Sequence, residues 1–243
     1  MAPARVDILG VGFDRIDLAG AAERIIERHA AGQRTFVITA NPEFVMLARR
    51  DADIARIARA ADLVVADGTG VLVASRLLRD PLPGRVPGRV LVPSVLQLAS
   101  GPVFLLGAAP GVAERAAATL VQRIPSLRIA GTHAGSPVPD EDAAIRARIE
   151  ASGARVLLVA YGMPAQERWL ARNLSHLPSV RTAIGVGGVF DQLAGRVRLP
   201  PRVVHAVGLE WLWRLVFEPR RWRRQRVLPV FALLVARQRI LGR

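Results

Sequence analysis

Short apolar runs alternate along the whole chain with stretches whose apolar positions recur at helical spacing. Residues 6–9, 35–39, 63–66, 103–107, 127–130, 156–161 and 182–186 are apolar runs bounded by turn-forming residues, as buried strands are. Between them, residues 18–30, 42–60, 111–123, 140–152 and 164–174 carry helical patterning. The acids of Pro139-Asp140-Glu141-Asp142 suit the positive end of their helix. Strand and helix alternating in this way predict an α/β fold: a Rossmann-like, mainly parallel sheet flanked by helices.

Two interruptions break the rhythm. Residues 79–93 hold Pro81, Pro83, Pro87 and Pro93 with Gly84 and Gly88, predicting a loop long enough to act as a lid or binding loop. Leu199-Pro200-Pro201 forms the second break, so residues 1–198 are expected to form an α/β core and residues 199–243 a helical appendage. No internal repeat is visible.

Composition narrows the chemistry. The 243 residues suit one α/β domain with an appendage, and 51% of them are hydrophobic, enough for a sizeable core. Cysteine is absent, which excludes disulfides, thiolate metal sites and a thiol nucleophile. With four scattered His, no zinc constellation emerges, and neither a divalent metal nor a cofactor is expected. The first residues lack a basic region followed by a long apolar stretch, so no secretory leader is expected. No run approaches the roughly 18 apolar residues of a spanning helix.

The net charge is +14, and every basic residue is Arg. Residues 201–243 hold ten Arg against Glu210 and Glu218 alone. Such a chain favours anionic partners: phosphates, nucleic acid or acidic lipid. An Arg-rich nucleic-acid-binding protein is the alternative reading, but it calls for basic and aromatic residues spread over a sheet or groove. Here the charge concentrates at the C-terminus instead. A nicotinamide enzyme ranks lower, because no GxGxxG fingerprint is present.

Ligands of open α/β sheets bind beyond the carboxyl ends of the strands. Three late strands end in small-residue loops: Gly107-Ala108-Ala109-Pro110-Gly111, Tyr161-Gly162-Met163-Pro164, and Gly187-Gly188-Val189-Phe190-Asp191. Backbone N–H groups there could cradle a diphosphate, although each loop taken alone is equally a tight turn without a ligand. The early strands deliver polar groups, in Thr39-Ala40-Asn41-Pro42-Glu43 and Ala66-Asp67-Gly68-Thr69-Gly70. Asp67 is placed either to cap the following helix or to act as a general base, and the pattern alone favours the cap. Asp51-Ala52-Asp53 has the spacing of a metal-binding DxD, yet its helical setting favours the start of a surface helix.

Taken in order, these segments resemble the WecG/TagA/CpsF group, glycosyltransferase family 26, over nearly the whole chain. The resemblance rests on Thr39 to Glu43, DLVVADGTG at 62–70, Pro83-Gly84-Arg85-Val86-Pro87-Gly88, and Leu105 to Ala108. It continues through Gly131 to Gly135, GMPAQERW at 162–169, GVGGVFD at 185–191 with Ala194-Gly195, and finally Gly208 to Arg214 with Glu218 to Arg221. It implies a metal-independent, inverting transferase that moves a sugar from a UDP-sugar to a polyprenyl-diphosphate-linked saccharide. It puts the base on Asp67, reversing the preference for a cap, with Thr39 and Gln166 near the donor sugar and phosphates. Donor and nucleotide contacts are expected from Asn41, Gly68, Gly107, Ala108, Gly162, Glu167, Gly187, Gly188 and Asp191. Acceptor or phosphate contacts are expected from Arg85, Arg214, Arg221 and Arg224. Two departures stand out: Arg89-Val90 where many members have an acid two residues after Gly88, and Leu199 where members commonly have Arg.

Arg220 to Arg226 interleave with Trp222 beside the apolar run at 227–236, a composition suited to a helix in the headgroup layer. The alternative is a solvated basic face with a helix docked on the core; the lipid-linked acceptor that the resemblance implies favours membrane contact, with the protein held peripherally on the inner face of the cell membrane by an anionic surface. Oligomeric state stays open; an appendage docked on a neighbouring subunit of a homo-oligomer would couple assembly to membrane binding.

Overall fold

The computed structural model describes residues 5–197, 199, 201, 204, 210–217 and 222–241. Its centre is a six-stranded, all-parallel sheet of order β4-β3-β8-β7-β5-β6. The strands are β3 (Thr35–Ala40), β4 (Leu63–Ala66), β5 (Val103–Gly107), β6 (Ile129–His133), β7 (Val156–Ala160) and β8 (Thr182–Gly185). Apart from the edge strand β6, they are buried almost throughout, hence their unbroken apolar runs rather than alternation. The α/β architecture is as the strand–helix rhythm predicted.

One face carries α2 (Pro42–Ala48), α3 (Ala52–Ala60), α4 (Thr69–Leu77), α7 (Asp142–Ala151) and α8 (Ala165–Asn173). The other carries α1 (Leu18–Ala30), α5 (Gly88–Leu98), α6 (Val112–Arg123) and α9 (Val189–Leu193). Two apolar layers result, one on each side of the sheet. The C-terminal helices are α10 (Glu210–Phe217), α11 (Trp222–Gln225) and α12 (Leu228–Leu241). Helix α12 buries Phe231 and Val235 and packs against α2 and α4.

Local expectations are corrected or sharpened at four places. Residues 11–14 form a second strand, β2 (Val11–Asp14), paired antiparallel with β1 (Arg5–Ile8) through a turn with positive φ at Leu9 and Gly10. Buried Asp14 fixes that hairpin to the sheet edge by accepting from the Val64 backbone N–H at 2.8 Å. The helical stretch at 42–60 is two helices, and Asp51 caps the second by accepting from the N–H groups of Asp53 and Ile54, the helix start that Asp51-Ala52-Asp53 was expected to make. The strand expected at 127–130 begins later, at Ile129. The loop expected through Pro93 ends at Pro87, and α5 contains Pro93. That proline removes the hydrogen bond to the Arg89 carbonyl, but burial of Leu91, Val92, Val95 and Leu96 keeps the helix.

Candidate active site

The strand registers align the carboxyl ends of the sheet. Ala40 lies opposite Ala66, Ile38 and Val159 opposite Gly185, and Gly107 opposite Ala160. Neighbouring strands there send their chains to opposite faces: β3 leads into α2 but β8 into α9, and β7 into α8 but β5 into α6. Such divergences open crevices at strand tips. Both contain residues singled out in the sequence.

At the β3–β4 tips, the Asp67 N–H donates to the Ala40 carbonyl at 2.8 Å, and the Val86 N–H donates to the Ala66 carbonyl at 2.8 Å. These bonds bring the 79–87 loop and the first turn of α5 over the ends of β3 and β4. Gly68, at φ +117°, is the N-cap of α4, and α4 has no side-chain cap. Asp67 is thus one residue outside the capping position, half-buried beside the guanidinium groups of Arg85 and Arg89, with both of which it interacts electrostatically. Burial lowers the pKa of both arginines while the Asp67 charge raises it. Arg85 also donates to the Thr69 hydroxyl at 3.3 Å. Asn41 caps α2 by accepting from the Phe44 N–H at 2.9 Å, and a Cβ on Gly70 would meet the Pro42 ring at 2.7 Å. The α2 and α4 entries are therefore packed tightly together.

A second group forms where β8 and β7 end. Gln166 is buried; its Oε1 accepts from the Gly187 N–H at 2.9 Å and its Nε2 donates to Glu167 Oε1 at 2.9 Å. Burial pushes the Glu167 carboxyl up to about 7. Thr39 links the two groups by donating to the Gly185 carbonyl at 3.2 Å, and Gly88 approaches its side chain closely enough that a Cβ there would stand 3.6 Å away. Gly107 has φ +102°, and a Cβ on it would stand 2.8 Å from the Ala160 carbonyl carbon; Ala108, also at positive φ, donates its N–H to the Ala160 carbonyl at 3.0 Å. Gly162 and Gly188 lie in the turns after β7 and β8. Asp191 lies on α9, 3.6 Å from an Arg196 nitrogen.

The arginines of the appendage divide three ways. Arg224 pairs with Glu43 in the first turn of α2, two residues from Asn41. Arg214 lies on α10, whereas Arg221 falls outside the described residues. The DxD carboxylates are both engaged by Arg168 of α8, and Asp51 also caps α3. No group of three or more metal-ligating side chains occurs among the described residues. Two clefts, between the hairpin turn and α12 and between α3 and α8, include no residue of the strand tips.

Three site features escaped the sequence reading: Arg89 beside Asp67, the Glu43–Arg224 pair and the Gln166–Gly187 bond. A signal for Arg89 existed, since a cation in the first turn after Pro87 opposes the positive end of its own helix. The other two join residues far apart in sequence, and no local pattern encodes them.

A model of the glycosyl transferase WecG/TagA/CpsF family matches residues 6–243. The N-acetylglucosaminyldiphosphoundecaprenol N-acetyl-beta-D-mannosaminyltransferase of Staphylococcus aureus strain MRSA252 is 35% identical over 240 residues, spanning 96% of this chain and 93% of that protein. The protein of the same name from strain NCTC 8325 is 34% identical over the same spans.

Proposed function

The chain belongs to the WecG/TagA/CpsF family and is a glycosyltransferase; from that premise we propose that it carries a sugar from a UDP-sugar to a polyprenyl-diphosphate-linked saccharide. The relatives' name favours N-acetylglucosamine on diphosphoundecaprenol as acceptor and an N-acetylmannosamine-type sugar as the group transferred. The reaction is a direct displacement with inversion. Asp67 takes the proton of the acceptor hydroxyl, whose oxygen bonds to the anomeric carbon while the bond to UDP breaks. UDP departs with the electron pair, held by backbone N–H groups of the turns after β5 and β8 and by arginine.

The observation that carries this reading is the placement of Asp67. It follows the tip of β4, outside the helix-cap position, half-buried and in electrostatic contact with Arg85 and Arg89, at the end of the sheet that also carries Thr39 of β3 and Gln166 at the start of α8.

Membrane access follows from α10 to α12. Trp211, Leu212, Val216, Phe217, Trp222 and Leu233 are exposed, with exposed Arg223 and Arg226 nearby in sequence. Among the described residues no helix is long and apolar enough to cross a membrane, and this surface suits peripheral binding to an anionic leaflet on the cytoplasmic side. In this reading residues 1–198 are the transferase core and residues 199–243 the appendage that meets the membrane.

The test is a panel of UDP-sugars against a lipid-diphosphate N-acetylglucosamine acceptor, with the product read by mass spectrometry. One extended lipid-linked saccharide is expected. No product with any donor, together with no binding of UDP, overturns the reading.

A further inference from the structure

Glu167 follows Gln166 in the first turn of α8 and is only 3% exposed. A carboxyl in such a place costs free energy unless its oxygens are hydrogen-bonded. Oε1 accepts from Gln166 Nε2 at 2.9 Å, but Oε2 is buried and has no hydrogen-bond partner among the described residues. For stability alone, an apolar side chain of similar size would fill the place as well or better. What the carboxyl adds is direction. The two ends of a Gln amide have nearly the same shape, so hydrogen bonds decide which end faces where. Gln166 Oε1 accepts from the Gly187 N–H at 2.9 Å, and a Cβ on Gly185 would stand 2.8 Å from Gln166 Nε2. The amide is thus clamped on three sides, with Glu167 holding its nitrogen, Gly187 holding its oxygen and the bare Cα of Gly185 leaving it room. Gly187, at φ +51°, belongs to the small-residue turn after β8. Thr39 holds the same strand end from β3 by donating to the Gly185 carbonyl at 3.2 Å.

We infer that Glu167 is a positioning residue for donor binding: it holds the Gln166 amide so that its oxygen fixes the Gly187 N–H, and with it the turn that grips the UDP moiety. The inference rests on the proposed function, which assigns that turn to UDP, and deepens it. The direct donor contact expected of Glu167 has no part in this role, because Oε1 is engaged by Gln166 and Oε2 is buried. Loss of the acceptor at 167 would leave the Gln166 amide nitrogen buried without a partner. The amide escapes that cost by turning away, and in doing so it releases the Gly187 N–H.

The experiment uses the full chain and its Glu167→Leu, Glu167→Gln and Gln166→Ala variants, with the double variant Glu167→Leu/Gln166→Ala and thermal melts to confirm folding. Titration calorimetry measures UDP affinity, and amide hydrogen exchange reads the Gly187 N–H without ligand. Glu167→Leu is expected to weaken UDP binding about 3- to 10-fold, to raise KM for the UDP-sugar more than it lowers kcat, and to speed exchange at Gly187. Its melting temperature above pH 7 should hold or rise, because burial disfavours the charged carboxyl. A merely structural role would lower melting and affinity together. In the Gln166→Ala background the same substitution should change UDP affinity by less than about twofold, since the contact it acts through is gone. The conservative variant Glu167→Gln can present an amide oxygen to Gln166 and should recover UDP affinity to within about twofold of the unmutated protein. Unchanged affinity in Glu167→Leu, equal weakening with and without Gln166, or a large loss in Glu167→Gln overturns the inference. In the unmutated protein, UDP should shift the NMR signals of the Gly187 N–H and the Gln166 side-chain amide together; no response in either overturns the inference whether or not every variant folds. Absence of UDP binding by the unmutated protein would instead overturn the proposed function, while exchange at Gly187 still reports on the clamp, so the two failures are distinguishable.

Discussion

Gln166 binds the turn it faces: its Oε1 accepts from the Gly187 N–H at 2.9 Å, while Nε2 is held by Glu167. The side chain therefore sets the position of the small-residue turn after β8 from a helix that starts after β7. Its contribution to donor binding then runs through that turn as well as through any direct contact.

Gln166→Ala should leave the fold intact and raise KM for the UDP-sugar more than it lowers kcat. Gly185→Ala should do the same by another route, because a Cβ at 185 would stand 2.8 Å from Gln166 Nε2 and push the amide aside. Titration calorimetry with UDP checks both, with weakening of roughly tenfold expected for the loss of about one well-placed hydrogen bond. Unaltered UDP affinity in both variants would separate Gln166 from the nucleotide.

Glu167 predicts a pH dependence of stability. Burial raises its carboxyl to about 7 in the folded chain, from an ordinary value near 4.5. The folded state therefore binds more protons than the unfolded state between those values, and stability falls as pH rises through that window. Above about 7 the loss is complete, on the order of 3 kcal/mol. Glu167→Gln retains an acceptor for Gln166 and removes the titration. Its melting temperature should pull ahead of the unmutated protein's between pH 5 and 7 and stay ahead above that. Parallel pH profiles would contradict the assignment.

Much of this was legible in advance, for identifiable reasons. Leu63 to Ala66 and Val103 to Gly107 announce themselves because a central parallel strand is apolar on both faces. The Gly-rich turns after β5, β7 and β8 follow directly from those strands. What stayed hidden depended on pairing across the fold. β2 is recognisable only once it pairs with β1, and α5 only once burial of its apolar face outweighs Pro93. Asp67 read locally as a cap; the chain instead places Gly68 there, which sets the carboxylate one residue back, beside arginines 18 and 22 positions later in the sequence.

The Glu43–Arg224 pair ties the appendage to the entry of α2, with two guanidinium nitrogens at 2.8 and 2.9 Å from one carboxylate oxygen. Arg224 is half-exposed, so the pair should contribute no more than about 1 kcal/mol to global stability. Its effect is local. Glu43→Arg should speed proteolysis within the appendage and reduce transfer to the lipid-linked acceptor, with melting shifted by only about 2–4 °C. Combining it with Arg224→Glu should restore much of both. Failure of the double variant to recover either would separate the pair from appendage docking.

The DxD carboxylates at Asp51 and Asp53 are occupied by Arg168 and by the α3 cap. Transfer is therefore expected to persist in EDTA, and a strict requirement for added magnesium would contradict the metal-free mechanism.

Binding to vesicles should depend on both charge and exposed aromatic surface. Co-sedimentation with phosphatidylglycerol vesicles is expected to fall on Trp222→Ala and on Arg223→Ala with Arg226→Ala, and to weaken with salt. Equal binding to purely zwitterionic vesicles would remove the electrostatic part of the account.

The central claim is that Asp67 takes the proton from the attacking hydroxyl, and single-turnover transfer by Asp67→Asn tests it most directly. Asparagine keeps the shape and the backbone bond to Ala40 but cannot accept that proton. The account predicts an unchanged fold and UDP affinity, with the rate of transfer reduced about 100- to 10,000-fold. Transfer at close to the normal rate would contradict it.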